Sequence, residues 1–238
     1  RSAGVFLLTA FRELVAEHWR VEGQRPDTST LRSILYTQVV GFDINEAALR
    51  FAALGLYLSS IELDPNPRPV DKLRFRDLRG TVLHRICSAE AEEGARLGSL
   101  GPLVGDQHLG QYDLVVGNPP WDIAKPNSKE FFQQFSDDIS KNTMRIEEFE
   151  EEKADLIAND AKVRRAWLAY LSGFPHVSEW FRGAAQFANQ IGEVNGRKAG
   201  SDINLFKLFT EQTYNLLRPD GRCGIVIPSG IYTDLGAT

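Results

Sequence analysis

The stretch Tyr112-Asp113-Leu114-Val115-Val116-Gly117 reads as a β-strand, and the next four residues, Asn118-Pro119-Pro120-Trp121, forbid it from continuing. A proline locks its own φ and has no N–H to give to a ladder, so two in succession end the strand in a stiff turn. Any fold this chain adopts must therefore hold a strand whose carboxyl end carries a rigid polar and aromatic loop. The other elements follow from periodicity. Val5 to about Trp19 places Leu7, Leu8, Phe11, Leu14 and Val15 on one helical face, and Pro26 to Thr30 marks a break. Leu35 to Ile44 reads as a buried strand ending at Asp43, and Asn45 to about Ser59 as a helix. After the Pro65–Pro69 loop, Leu73–Phe75 is a short strand candidate running into Arg76-Asp77-Leu78, while residues 81–110 carry weak signals.

Downstream of the prolines, a polar, helix-prone stretch runs from about Ser128 to Ile191, with an acidic cluster from Glu147 to Glu152. Gly192 to Ser201 reads as a flexible loop. Asp202 suits the N-cap of a helix that turns Leu205, Phe206, Phe209, Leu216 and Leu217 inward. Arg218 to Gly221 is a turn, and Cys223 to Ile227 a second buried strand. Strands alternating with helices imply parallel βαβ units in an open α/β sheet, which binds ligands at the carboxyl ends of its strands. Three assigned strands lead to Asp43, Asp77 and Asn118, so one crevice is expected to collect them. The expected organisation is a core over 1–121, a mainly helical insertion over 122–201, and the rest of the core over 202–238.

Composition excludes several classes. No apolar run among the 238 residues approaches the ~20 needed to span a bilayer, so no membrane partner is expected. The start is too quickly polar for a signal peptide. The single Met is Met144, and the chain reads as an internal fragment of a larger protein. Cys87 and Cys223 lie far apart and only four histidines are present, which argues against a metal site and for a reducing cytoplasm with two buried structural cysteines. The net charge of −5 gives no basic footprint, so a grip on nucleic acid is expected to involve further parts of the parent protein.

The chemistry of Asn118-Pro119-Pro120-Trp121 is specific. An exocyclic amine on adenine is a poor nucleophile, because its lone pair is delocalised into the ring. The Asn118 side-chain oxygen and the Pro119 carbonyl are placed to accept from that NH₂, and the prolines preorganise both acceptors. Trp121 offers a face on which an extruded base stacks. A polar-Pro-Pro-aromatic tetrapeptide arises by chance in on the order of one chain in a hundred of this length. On the cofactor side, Asp43 suits the ribose hydroxyls of an adenosyl group, or alternatively a capping box with Glu46. Asp77 reads either as an acceptor for an adenine amine or as a solvated loop acid. Arg197 and Lys198 read as phosphate contacts or as part of a solvated loop.

The order Ala-Gly-Val-Phe-Leu-Leu, Gly-Phe-Asp-Ile-Asn, Arg-Asp-Leu, Val-Val-Gly-Asn-Pro-Pro-Trp and Gly-Arg-Cys-Gly-Ile-Val-Ile-Pro-Ser resembles the γ-class adenine-N6 DNA methyltransferases. The closer likeness is to the large methylases of type IIG restriction–modification enzymes and of phage-defence systems such as BREX and DISARM. Lys125 to Phe132, Asp202 to Phe209 and Ser229 to Asp234 add to it. The resemblance implies a Rossmann-like class I methyltransferase sheet, truncated here and interrupted by the helical insertion. It implies S-adenosyl-L-methionine as methyl donor and adenine flipped from duplex DNA as acceptor, yielding N6-methyladenine. Gly4 and Phe6 would line the cofactor loop, Asp43 would hold the ribose with Ile44 also in the cofactor site, and Asp77 and Leu78 would flank the cofactor adenine. Asn118, Pro119, Pro120 and Trp121 would hold the target base. Such families open on a strand and a Gly-x-Gly loop; here the strand is missing and Ser2-Ala3-Gly4 stands where the loop would end. Target recognition, and any fused restriction endonuclease, would belong to other domains of the parent.

Other readings remain open from sequence. The acceptor of the same fold could be cytosine N4, a protein glutamine or RNA. A nicotinamide-dependent oxidoreductase would also use Asp43, but has no need of Asn118 to Trp121. A catalytically inactive methylase fold acting as a DNA-binding or docking module is the main alternative.

Overall fold

The structure is a computed structural model that describes residues 4–86, 100–101, 104, 106–141, 144–190, 193–194, 197–198 and 203–232. The chain divides into two compact units, Arg1–Tyr112 and Asp113–Thr238. Among the described residues, no helix is long and apolar enough to cross a membrane.

The first unit packs helices α1 (Val5–Glu22), α2 (Thr28–Thr37) and α3 (Glu46–Leu63) with a parallel pair of short strands, β1 (Gly41–Asp43) and β2 (Leu83–Arg85). Gly41 pairs with Leu83 and Asp43 with Arg85, so β1, α3 and β2 form a βαβ crossover of the kind expected. Phe11, Val15, Leu31, Ile34, Leu35, Leu56 and Leu83 form its core. Helices α1 and α3 approach closely because Gly55 lacks a side chain: a Cβ there would lie 2.9 Å from Leu8 Cδ2. Gly4 opens α1 at φ 78, and a Cβ on it would meet the Ala52 Cβ at 2.6 Å. Its role in this unit is therefore packing as well as turning.

Two expectations are corrected here. The strand expected from Leu35 is limited to Gly41–Asp43, because Asp27 caps α2 by accepting from the Thr30 N–H at 2.8 Å. That helix then buries Leu31, Ile34 and Leu35 on one face and runs on to Thr37. The Leu73–Phe75 strand does not form. Tyrosine hydroxyls take the polar backbone here instead of a ladder: Tyr36 accepts from the Arg76 N–H at 3.0 Å, while Tyr57 donates to the Arg76 carbonyl and accepts from the Leu78 N–H. Phe75 lies under the Arg32 guanidinium, 3.7 Å from its carbon. The strand that pairs with β1 comes from Leu83–Arg85, inside the weakly patterned region. Asp77 consequently ends no strand.

In the second unit, β3 (Tyr112–Gly117) forms a two-stranded sheet with β6 (Leu217–Ile225). Between them lie α5 (Ser128–Phe132), α6 (Asp137–Ser140), α7 (Ile146–Asn159), α8 (Ala161–Gly183), the 3-10 turn Ala185–Gln190 and α9 (Leu205–Leu216), with α4 (Pro69–Lys72) belonging to the first unit. Phe132, Ile139, Phe149 and Val163 build one core cluster, against which Phe131, Met144 and Trp167 pack. Phe187 is fully buried against Trp180 and Phe181. The acidic cluster is solvated on α7, where Glu147 and Glu148 suit the positive end of the helix dipole.

Three further differences are found. Residues 193–194 and 197–198, expected to be loop, form a short antiparallel pair, β4 with β5. Strand β6 is longer than expected and largely exposed, with Cys223 at the surface; the turn signal survives as Asp220 at φ 66. Helix α9 starts after Asn204 with no side-chain cap, and Asp202, like Cys87, lies outside the described residues.

Leu56→Ala is expected to destabilise the first unit by about 2–5 kcal/mol, and Phe51→Ala on the outer face of α3 by less than about 0.5 kcal/mol. Urea unfolding midpoints of the two variants test this.

Candidate active site

The four motif residues belong to the second unit and are held from both sides. Gly117, the last residue of β3, accepts from the Val226 N–H at 3.2 Å. The Val226 carbonyl in turn accepts from the Trp121 indole N–H at 3.2 Å. Beyond the motif the chain is stitched by its backbone to the entry of α9: Ala124 N–H donates to the Ile203 carbonyl at 2.7 Å and Leu205 N–H to the Asp122 carbonyl at 2.9 Å. Ile123 and Asn204 form an antiparallel bridge between these bonds. The Asp122 carbonyl thus satisfies an N-terminal amide of α9 that no side chain caps.

Within this frame the side chains divide sharply. Pro119 is buried, whereas Asn118 and Pro120 are exposed. Among the described residues neither the Asn118 amide nor the Pro119 carbonyl has a hydrogen-bond partner. Trp121 remains 55% exposed although its N–H is satisfied. Burying an indole is among the larger gains a fold can make, and this ring has not made it. The loop therefore offers two acceptors and an exposed aromatic ring on a backbone anchored at both ends.

The residues assigned to the cofactor belong to the first unit. Asp43 closes β1 and is half-buried; its Oδ1 accepts from the Asn45 N–H at 2.8 Å. Its other oxygen carries no hydrogen bond among the described residues. The capping role falls to Asn45, whose side chain accepts from Ala47 and Ala48, and Glu46 pairs with Arg50 and Arg79. The capping-box alternative for Asp43 is thereby set aside. Ile44 and Phe6 are exposed. Asp77 is exposed and grasped by Arg79, which donates from its backbone at 3.0 Å and from its guanidinium at 2.9 Å. The Arg79 bonds hold the Asp77 carboxyl below the usual range. Leu78 is fully buried in the core, its carbonyl accepting from the Val82 and Leu83 N–H groups.

Sequence reasoning passed over an aromatic cluster beside Asp43. Phe42 stacks on His84 with ring centres 5.4 Å apart and meets His108 edge-on at 4.9 Å. His108 Nδ1 lies 2.6 Å from the Tyr112 hydroxyl. Burial raises the Tyr112 hydroxyl to about 12. Burial, and then the neighbouring His84, lower the His108 imidazole. The bond therefore joins two neutral groups at pH 7. His84 sits on β2 and His108 in a region with no periodic signal, so only the pairing of β2 with β1 could have revealed the cluster.

No protein-family model matches the chain, and no curated protein or solved structure matches it.

The fold disfavours the protonated form of His108. Its contribution to stability is full above the ordinary histidine range and declines as pH falls through about 6.5. Thermal unfolding of the first unit followed from about pH 7.5 to 5.5 is expected to show this loss, with a shallower slope in His108→Gln.

Proposed function

We propose that the protein transfers a methyl group from S-adenosyl-L-methionine to the N6 amine of adenine in DNA, and that Asn118-Pro119-Pro120-Trp121 hold the reacting base. The observation that carries this reading is the contrast within the motif: an anchored backbone bearing two unpaired acceptors and an exposed, N–H-tethered indole. A structural strand terminator needs the prolines, but gains nothing from an unburied tryptophan or an unpaired amide.

In this mechanism the base leaves the duplex and stacks on Trp121. The Asn118 amide oxygen and the Pro119 carbonyl accept the two amine hydrogens. This turns the nitrogen lone pair away from the ring and towards the methyl donor. Because the backbone that carries both acceptors is held beforehand by the prolines and by the Val226 and Ile203 anchors, the loop itself reorganises little during reaction. The surplus proton leaves after the nitrogen has become cationic, so no strongly basic side chain is required.

When bound, S-adenosyl-L-methionine supplies an electrophilic methyl sulfonium. The first unit fits its adenosyl part at Asp43, whose carboxylate keeps one oxygen without a partner while Asn45 takes over the helix cap. Gly4, Phe6 and Ile44 complete the proposed set. At Asp77 the adenine amine would share the carboxylate with Arg79, while the Leu78 side chain belongs to the core and its backbone N–H and carbonyl are already engaged by Tyr57 and by Val82 and Leu83.

The test is tritium transfer from labelled S-adenosyl-L-methionine to genomic DNA, followed by digestion to nucleosides. Label is expected in N6-methyladenine. Asn118→Ala is expected to lower the rate at least about 100-fold while S-adenosylhomocysteine binding is retained. Cofactor and DNA binding without any transfer would select the inactive docking module instead, and equal loss of binding and transfer in Asn118→Ala would remove the role given to that side chain.

A further inference from the structure

The second unit contains a cavity of about 370 Å³ between the segment that follows the motif and one face of α8. Its size falls at the lower end of small-ligand sites, roughly 300–1,000 Å³. Lys125 and Pro126 line one side, and Phe174, Pro175, Ser178 and Arg182 the other. The α8 residues recur at helical spacing, so one face presents an aromatic ring, a hydroxyl and a guanidinium in sequence. Among the described residues that line it none is acidic, although the chain as a whole carries a net charge of −5. Arg182 in the last turn also suits the negative end of the helix dipole, but the dipole does not require Lys125 opposite it.

The wall also holds an unpaired hydroxyl among the described residues. Ser172, on the same helix outside the cavity, donates its hydroxyl back to the Ala169 carbonyl at 2.8 Å. The Ser178 hydroxyl has no hydrogen-bond partner among the described residues. Pro175 has no N–H, so it cannot supply the helical bond to the Leu171 carbonyl, and Leu171 also lines the cavity. A cavity with cations, a hydroxyl and an aromatic wall matches the parts of a nucleotide. Its position matches too. Lys125 is four residues beyond Trp121, at most about 14 Å along the chain, which is within roughly four steps of a strand rising about 3.4 Å per nucleotide.

We propose that this cavity holds a nucleotide of the DNA strand flanking the target adenine, with its phosphate between Lys125 and Arg182 and its sugar or base against Phe174 and Ser178. The proposal rests on the methyl-transfer reading above and adds a strand-binding subsite to it. Both cations also interact within the protein, so the phosphate joins existing contacts.

The experiment is fluorescence anisotropy of a fluorescein-labelled, adenine-containing duplex with the protein and S-adenosylhomocysteine, repeated over a range of salt. The double variant Lys125→Ala/Arg182→Ala is expected to bind about tenfold more weakly or worse and to flatten the log–log salt slope by about 0.9, the value for one phosphate contact. Ser178→Trp, which fills the cavity, is expected to weaken binding with the slope unchanged, and Lys162→Ala at the far end of α8 to change neither. Unfolding midpoints equal to the parent's separate these effects from misfolding. Duplex binding that the double variant and Ser178→Trp leave untouched would overturn the subsite while methyl transfer stood. Competition by free dAMP as strong as by unlabelled duplex would also overturn it, marking a mononucleotide pocket. A protein that neither binds duplex nor transfers methyl would overturn both readings.

Discussion

The backbone clip between residues 122–124 and 203–205 is the contact on which the second unit is organised. It ends the proline loop, satisfies the uncapped start of α9 and brings the chain that leaves the loop beside the entry to that helix. The cost of ordering the proline loop is shared: the prolines restrict it in the unfolded chain, and the clip and the Val226 contacts hold it in the folded one.

Around that frame the fold leaves particular groups unspent. Pro119 is buried and anchors the turn, while Asn118 and Trp121 stay outside the core. The Ser178 hydroxyl repeats the pattern in the neighbouring cavity. Both groups of residues belong to the second unit, the motif on the loop after β3 and Ser178 on α8. Their local geometry bears on ligand binding more directly than overall charge does. In the first unit, by contrast, Asp77 and Leu78 are absorbed by Arg79 and by the core. Asp43, at the end of β1, keeps an oxygen to offer.

The sequence by itself determined the elements whose causes are local. Helices α1, α3 and α9 follow from apolar residues at helical spacing, the end of β3 from two residues that cannot extend a ladder, and the mainly helical character of the insertion from its composition. The chemistry proposed for Asn118 to Trp121 was legible for the same reason, since it depends on the identity and order of four adjacent residues. Tertiary structure decided everything that depends on a distant partner. Leu83–Arg85 became the partner of β1, and Leu73–Phe75 did not become a strand, because Tyr36 and Tyr57 engaged the latter's neighbouring backbone. Asn45 displaced Asp43 as a cap, Cys223 came to the surface, and Trp121 found its acceptor 105 residues away. Periodicity reports which way a side chain points along its own element. Which backbone group it will meet depends on pairings across the chain, and those leave no mark in any short window of sequence.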